Sequence, residues 1–422
     1  MTENRNPGKA PLPGGAADTA VTPRQLVLLL AAALFISYVD RGNLATAAPL
    51  IKQELGLDEA QYGLLASSFY WTYVAFMVPV GWATERFGAH RVLAVGVFLW
   101  SVATLLTGFA GGLFGLLVLR LLLGAGESAV FPTSSSLLAT HVPEHQRGSA
   151  NGAISFGYLV GPAVGTFAGG LLMAEVGWRA VFILFGALSL LWLLPWLRFA
   201  RQLRPPSAVA ATGDGPGYAE LLRQRGLWGT SLGHFAGNYN WYFILSFMPL
   251  YLVDVRGFSM EEMAWVLSGA YVVNAVCALG SGWFTDRWVR RGGAASTIYK
   301  GSMVLSHAVS IGAMAGMMVL PVEGAIACLF IYEIFLGFCS PATFAIGQTM
   351  AGPLATGRWI GIQNFCGNLA GILAPAITGL LVASTGNYTL AFLLACLVNG
   401  LGILGWGIIL PRVQPVTWRG IR

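Results

Sequence analysis

The amino-acid sequence predicts an all-α membrane protein, with twelve transmembrane helices in two pseudo-symmetric six-helix bundles. Three observations predict it: a composition too apolar for water, twelve apolar segments divided by short polar breaks, and motifs that recur roughly 200 residues apart.

Composition comes first. Of 422 residues, 56% are apolar and only 10% are charged, where an ordinary soluble domain has about a quarter of its residues charged. A spanning helix takes about 20 apolar residues, so the chain has room for roughly a dozen. The 55 glycines fit, because glycine is common in membrane helices and lets backbones approach closely. The formal charge of +6 does not form one basic face, which excludes a nucleic-acid partner. Five cysteines (Cys277, Cys328, Cys339, Cys366, Cys396) lie in apolar segments without C-x-x-C spacing and read as small packing residues. No phosphate-binding G-x-x-x-x-G-K-[ST] loop occurs, so nucleotide does not drive this chain. No metal and no cofactor is expected.

The apolar segments fall at about 25–49, 61–83, 91–110, 113–138, 149–172, 178–198, 227–252, 260–284, 298–320, 324–347, 357–382 and 389–411. One long polar break, from Arg198 to Arg225, divides them six and six. The expected organisation is a disordered cytoplasmic tail (1–23), an N-terminal bundle (24–198), a cytoplasmic central loop (199–226), a C-terminal bundle (227–411) and a cytoplasmic tail (412–422). The first two dozen residues are rich in Pro, Gly and Ala and lack the compact apolar core of a cleaved signal. Alternate loops carry Arg86 and Arg91, Arg147, the central cluster, Arg287, Arg290 and Arg291, Lys300 and Arg358, while the others hold little beyond Lys52, Arg179 and Arg256. Positive charge accumulates inside, so both termini are expected in the cytoplasm of a multi-pass cell-membrane protein, at the inner membrane in a prokaryote. The lipid bilayer is its main partner, and a monomer is expected.

The halves echo each other. Gly81-Trp82-Ala83-Thr84-Glu85-Arg86 ends the second span, and Gly282-Trp283-Phe284-Thr285-Asp286-Arg287 ends the eighth. Asn151 precedes Pro162 by eleven residues, as Asn364 precedes Pro375. Gly177 to Phe182 has a weaker echo in Gly386 to Phe392. Chance similarity among glycine-rich membrane helices explains one match but hardly three in register. Two related bundles around a midplane site follow.

Charges at membrane depth are costly and retained for a partner or a task. Asp40 and Arg41 lie deep in the first span, Arg120 and Glu127 in the fourth. The last two are seven residues apart and share a helix face. Adjacent residues point about 100° apart, so Asp40 and Arg41 cannot share a direction. A desolvated carboxylate without a cation partner exchanges its proton near neutral pH, and an arginine fork matches a carboxylate. Asp40 and Glu127 are therefore candidate proton carriers, and Arg41 and Arg120 candidate anion ligands. The bland alternative is a neutralised network that only fixes helix packing.

Polar residues at helical spacing mark a cavity: Tyr38, Tyr73, Asn151, Ser155 and Tyr158, Asn240 and Tyr242 beside His234 and Asn238, and Asn364 and Asn368. Each is equally readable as an interhelical hydrogen bond. Glu333 is either a third protonatable group or an interfacial one. The loop signature Gly81-x-x-x-Glu85-Arg86-x-Gly88-x-x-Arg91, with Asp286 and Arg287 in its echo, is a candidate gate that pairs charges with helix ends; the alternative is plain edge charge. Gly157-x-x-x-Gly161-Pro162-x-x-Gly165 reads as a close-packing stripe or a contact between rocking halves. His141-Val-Pro-Glu144-His145 matches H-x-x-E-H, yet Pro143 interrupts the helix such a zinc site needs. Asn387-Tyr388-Thr389 is a sequon that matters only in a secretory-pathway cell.

These residues resemble the major facilitator superfamily over nearly all of the chain after the tail. Tyr38-x-Asp40-Arg41-x-Asn43 and Arg120-x-x-x-Gly124-x-x-Glu127-x-x-x-x-Pro132 resemble its anion:cation symporter family, which takes up sugar acids and other organic anions with protons. The resemblance implies proton coupling at Asp40 and Glu127 and charged cavity roles for Arg41 and Arg120. It also implies substrate contacts at Tyr73 and Asn364. Thr343-Phe344 resembles a stretch where sugar-acid members often carry Trp; Phe344 keeps the apolar wall without the indole donor. The seventh span lacks the Arg of glutamate-type carriers, which favours a monocarboxylate. The expected function is proton-coupled import of a small organic anion by alternating access, with export of drugs or metabolites by proton antiport as the alternative. A membrane hydrolase using His141 and His145 and a transporter-like nutrient sensor are the readings from other classes.

Overall fold

The computed structural model describes residues 23–57, 59–203 and 215–418, so the expected N-terminal tail, the middle of the central loop and the last four residues lie outside the described residues. The helices are α1 (Pro23–Leu55), α2 (Glu59–Phe87), α3 (Ala89–Thr107) and α4 (Leu113–His141, loosened at Ser128 and Ala129). Next come α5 and α6, the two parts of Arg147–Ala200 divided at Gly177, and α7 (Arg225–Leu250), extended by a π turn. They are followed by α8 (Met260–Arg290), α9 (Ala295–Val319), α10 and α11, the two parts of Val322–Thr385 divided at Gly352, and α12 (Thr389–Ile403). No strand occurs among the described residues.

By length and composition, ten runs among the described residues can cross a membrane. The run Val322–Val382 contains both α10 and α11. Helix α7 carries His234, Asn238 and Asn240 within its apolar sequence, which lowers its hydropathy. Counting these gives the twelve spans that the sequence predicts.

Left-handed glycines show the repeat more sharply than the motifs do. Gly56 (φ 63°) and Gly257 (φ 74°) open the turns into α2 and α8, and Gly88 (φ 89°) and Gly292 (φ 84°) the turns into α3 and α9. Gly177 (φ 76°) and Gly386 (φ 68°) precede α6 and α12. A side chain in this region costs roughly 1–2 kcal/mol, so each pair fixes the same corner in both halves. Only Gly352 (φ 66°) lacks a partner among the described residues.

Tight packing explains several of the other glycines. A Cβ on Gly157, Gly161 or Gly165 would stand 2.7, 2.8 or 2.5 Å from the carbonyl oxygens of Ala31, Phe35 and Val39. The stripe thus joins α5 to α1 within one half, which makes it a packing stripe and not a contact between halves. Trp192 and Trp196 stack at 5.2 Å and donate to the carbonyls of Leu29 and His90. Phe114, Phe167, Trp265 and Leu380 are exposed, as lipid-facing side chains are.

At the face opposite the arginine-rich loops, Glu54 accepts from Trp178 Nε1 (2.6 Å) and Arg179 Nε (2.8 Å), which holds its carboxyl below the ordinary value. Arg179 also donates to the carbonyls of Gly108 and Ala110. One short segment after Gly177 therefore pins the ends of α1 and α3.

Candidate functional site

Helices α1 and α4 carry the four charges in the first half, and two of them meet. Arg41 Nε lies 2.7 Å from Glu127 Oε2, and Ser37, one turn earlier on α1, donates to the same oxygen at 2.9 Å. Glu127 is fully buried and Arg41 is 15% exposed. The guanidinium stands over the rings of Tyr38 (4.3 Å), Tyr73 (4.6 Å) and Phe69 (4.9 Å). Such contacts contribute up to about 2 kcal/mol each when desolvated, so the arginine is held by charge on one side and by aromatic faces on the others. Arg120 sits over Phe69 at 5.2 Å, and its Nε has no hydrogen-bond partner among the described residues.

Asp40 turns the other way. Its Oδ2 accepts from Thr104 of α3 at 3.3 Å, and its Oδ1 has no partner among the described residues. The angle between adjacent residues thus separates a paired acid, Glu127, from an acid held only by a hydroxyl. Glu127 Oε1 is likewise unpartnered. Removing one member of a buried ion pair costs about 3–5 kcal/mol, so the Arg41–Glu127 contact is costly to break by substitution of either partner.

A run of aromatic rings leads from this cluster across to the second half. Tyr38 meets Tyr158 at 5.3 Å, Tyr158 meets Phe131 at 5.9 Å, and Phe131 stacks on Phe344 at 4.9 Å. Phe344 in turn meets the edge of His234 at 5.6 Å. Tyr158 Oη and Ser340 Oγ are hydrogen-bonded at 2.6 Å. On a second path Tyr70 meets Tyr242 at 6.4 Å, and Tyr242 donates to Asn368 Oδ1 at 3.1 Å. Asn364 is buried with an unpartnered side-chain nitrogen, and its carbonyl accepts from Asn368. Thr343 lies beside Phe344 and its carbonyl accepts from Gln363.

Asn240 does not join this group. Its side chain pairs with Ala236 and Asn399, and Asn399 meets His307, forming a network of α7, α12 and α9. Glu333 is fully buried in α10, and its carboxylate accepts from Asn274 of α8. It is therefore a deep group and not an interfacial one. His141 closes α4, and His145 lies beyond Pro143 in a short 3-10 turn, so the H-x-x-E-H run is not a continuous helix.

At the arginine-rich face the two acids of the repeated motif each cap a helix of the other half. Asp286 of α8 accepts from the N–H groups of Gly148 (2.9 Å) and Ser149 (2.7 Å) at the start of α5, and from the Ser149 hydroxyl. Glu85 of α2 accepts from Arg358 N–H (2.8 Å) at the start of α11. It also forms a close ion pair with Arg358 Nε at 2.9 Å, without the alignment of a hydrogen bond. Carboxylates favour helix N-termini. Glycines let these helices touch: a Cβ on Gly81 would stand 2.6 Å from the Gly357 carbonyl, and one on Gly148 2.7 Å from that of Gly282. Gly88 supplies the turn into α3, while Arg91 and Arg287 are exposed, the latter over Trp283. Arg86 is placed at the end of α2.

Arg358, read from sequence as a topology charge, is buried, and it donates to the carbonyls of Gly215 and Pro216 in the central loop. Tyr218 of the same loop donates to Val78 at 2.6 Å; burial and nearby Glu85 push its phenol up to about 12, so it stays a donor at neutral pH. Sequence reasoning also missed Ser37, Phe69, Thr104 and Phe131. The run Ser67-Ser68-Phe69-Tyr70-Trp71-Thr72-Tyr73 was the available signal for Phe69.

The comparisons with known proteins concern the family and the fold. A family model described as Major Facilitator Superfamily matches residues 30–375. The chain is 30% identical over 404 residues to the hexuronate transporter of Bacillus subtilis (strain 168), covering 93% of this chain and 94% of that protein. It is 31% identical over 396 residues to the probable sulfoacetate transporter SauU of Cupriavidus necator, covering 89% and 91%. Among solved structures it resembles the proton:xylose symporter XylE, with a TM-score of 0.75 and 15% identity over 93% of this chain and 96% of that one; at that identity the likeness concerns the fold.

Proposed function

The chain belongs to the major facilitator superfamily, and from that premise we propose that it imports a small organic anion together with protons by alternating access. It is a membrane transporter and not an enzyme, and its relatives lie in the anion:cation symporter branch. The reading rests on one observation: the guanidinium best suited to a substrate carboxylate, that of Arg41, is held by Glu127 at 2.7 Å.

Coupling follows from charge. With Glu127 ionised, Arg41 is neutralised internally and an entering carboxylate must displace it. When Glu127 takes a proton, the pair breaks and the fork of Arg41 is free for the substrate. The loaded site then holds one cation, one anion and one neutral acid, the same net charge as the empty pair. A carboxylate arriving without a proton would compete with ionised Glu127 for Arg41 and leave one of the two carboxylates without its cation in low dielectric, at a cost of several kcal/mol. Asp40, held only by Thr104, is a second proton carrier. Arg120 adds positive potential, while Tyr38, Tyr73, Tyr158, Tyr242, Asn364 and Asn368 line the substrate's path with Thr343 and Phe344.

Residues 24–198 and 227–411 act as the two rocking bodies, joined by the central loop, in a monomer. The arginine-rich face, with both termini, is cytoplasmic in the cell membrane, the inner membrane of a prokaryote. The seam made by Gly81, Glu85, Arg358, Gly148 and Asp286 is then the closed inner gate. Hexuronate and sulfoacetate, the cargoes in the relatives' names, are both small anions, which supports this substrate class.

The test is uptake into liposomes of D-glucuronate, D-galactonate and sulfoacetate under an inward pH gradient. Accumulation of one of them that collapses with a protonophore is expected. Uptake indifferent to the gradient, or surviving in both Asp40→Asn and Glu127→Gln, would sink the proposal.

A further inference from the structure

The corner between α8 and α9 carries cationic and aromatic side chains outside the contacts of the inner seam. A groove of about 530 Å³ opens there, lined by Trp283, Phe284, Arg287, Trp288, Arg291 and Gly293. Arg287 and Arg291 are one turn apart on the same side of the helix. Both are exposed, and neither has an acidic partner among the described residues. Arg290, by contrast, folds back to the Asp286 carbonyl at 3.4 Å. Two free guanidiniums side by side call for an anion.

The aromatic walls say which kind. Trp283, Phe284 and Trp288 are 57%, 42% and 39% exposed at the last turns of a membrane-crossing helix. That is the level at which indole rings border headgroups and acyl chains. The Arg287 guanidinium stands over Trp283 at 5.6 Å, and Phe284 meets Phe338 at 5.8 Å. The far wall is built in: the turn at Gly292 (φ 84°) brings Gly293 N–H to the Trp288 carbonyl at 3.1 Å, and a Cβ on Gly293 would overlap the Trp288 indole. In the first half, the motif's echo has Ala83 and Phe87 where α8 has Phe284 and Trp288, and Trp82 packs edge-on against Phe87 at 5.6 Å.

We propose that this corner binds one anionic phospholipid, with Arg287 and Arg291 holding its phosphodiester and the Trp283, Phe284 and Trp288 faces holding the adjoining acyl chains. An arginine fork matches phosphate oxygens in pairs, and basic pockets at this level suit lipid headgroups. The site lies beside Asp286, so the lipid sits next to the clamp on α5.

Delipidated protein in detergent, titrated with phosphatidylglycerol or phosphatidylethanolamine and read by native mass spectrometry, tests this. One tightly retained phosphatidylglycerol is expected, bound in preference to phosphatidylethanolamine. Arg287→Gln with Arg291→Gln should weaken it roughly thirtyfold, and Gly293→Leu, which fills the groove, should weaken it without changing charge. The charge-matched pair Arg201→Gln and Arg223→Gln, elsewhere on the same face, should leave it unchanged. Equal retention by the Arg287/Arg291 variant, equal loss in the charge-matched control, or displacement by millimolar inorganic phosphate would each overturn the lipid assignment. All variants are compared at matched helical content, and the groove-filling variant keeps the test valid if the double variant is unstable.

Discussion

Glu127→Gln is the sharpest perturbation of this site. The amide is nearly isosteric, keeps an oxygen for Ser37, which now sits at 2.9 Å, and removes the charge that holds Arg41 at 2.7 Å. It imitates the protonated acid permanently. A charge-assisted hydrogen bond contributes about 1.5–3 kcal/mol, and the wild-type site must give this up before a carboxylate can take Arg41. The variant need not, so at alkaline pH it should bind the transported anion about tenfold to a hundredfold more tightly than wild type. The sign with pH follows: wild-type affinity falls as pH rises and Glu127 ionises, whereas the variant's affinity stays flat. Calorimetric titration of detergent-solubilised protein from acid to alkaline pH reads both curves. Net uptake should be lost, while exchange of labelled for unlabelled anion survives. Weaker binding by the variant at every pH would refute the competition between Glu127 and substrate for Arg41.

Three other outcomes follow from the same geometry. Arg41→Lys keeps the charge but loses the planar fork and the stacking on Tyr38 and Tyr73, so uptake should fall at least about tenfold; near-normal uptake would mean that charge alone suffices. Gly81→Ala sets a Cβ 2.6 Å from the Gly357 carbonyl and should wedge the inner seam open, raising maleimide labelling of buried Cys339 as mapped by mass spectrometry, with unchanged labelling counting against the gate. Gly165→Leu drives a side chain into the Val39 carbonyl and should destabilise the α1–α5 contact by about 1–3 kcal/mol, seen as a lower thermal midpoint, while an unaltered midpoint would contradict the close-packed stripe.

Much of the fold was legible because membrane helices write themselves in long apolar runs and corners write themselves in glycine. Gly81 and Gly282 announced a repeat that the left-handed pairs Gly88 and Gly292, and Gly177 and Gly386, make geometric. The four charges were legible through their cost at depth. Their pairing was not, since two helices meeting at an unknown rotation leave Arg120 open to either Asp40 or Glu127. Structure resolves it through Ser37 and Arg41, one turn apart on α1. Asn240 was misplaced for a related reason: a polar residue in a membrane helix points either to a cavity or to a neighbouring helix, and here Asn399 takes it. Arg358 hid among loop arginines because its burial depends on Glu85, 273 residues away.

The central claim is that a proton enters with the anion because both act on the Arg41–Glu127 pair. The direct measurement is internal pH in liposomes loaded with a pH-sensitive dye, at zero membrane potential, on adding the transported anion outside. The account predicts internal acidification with wild-type protein and none with Glu127→Gln. Anion entry without acidification, or acidification that persists in Glu127→Gln, would contradict it.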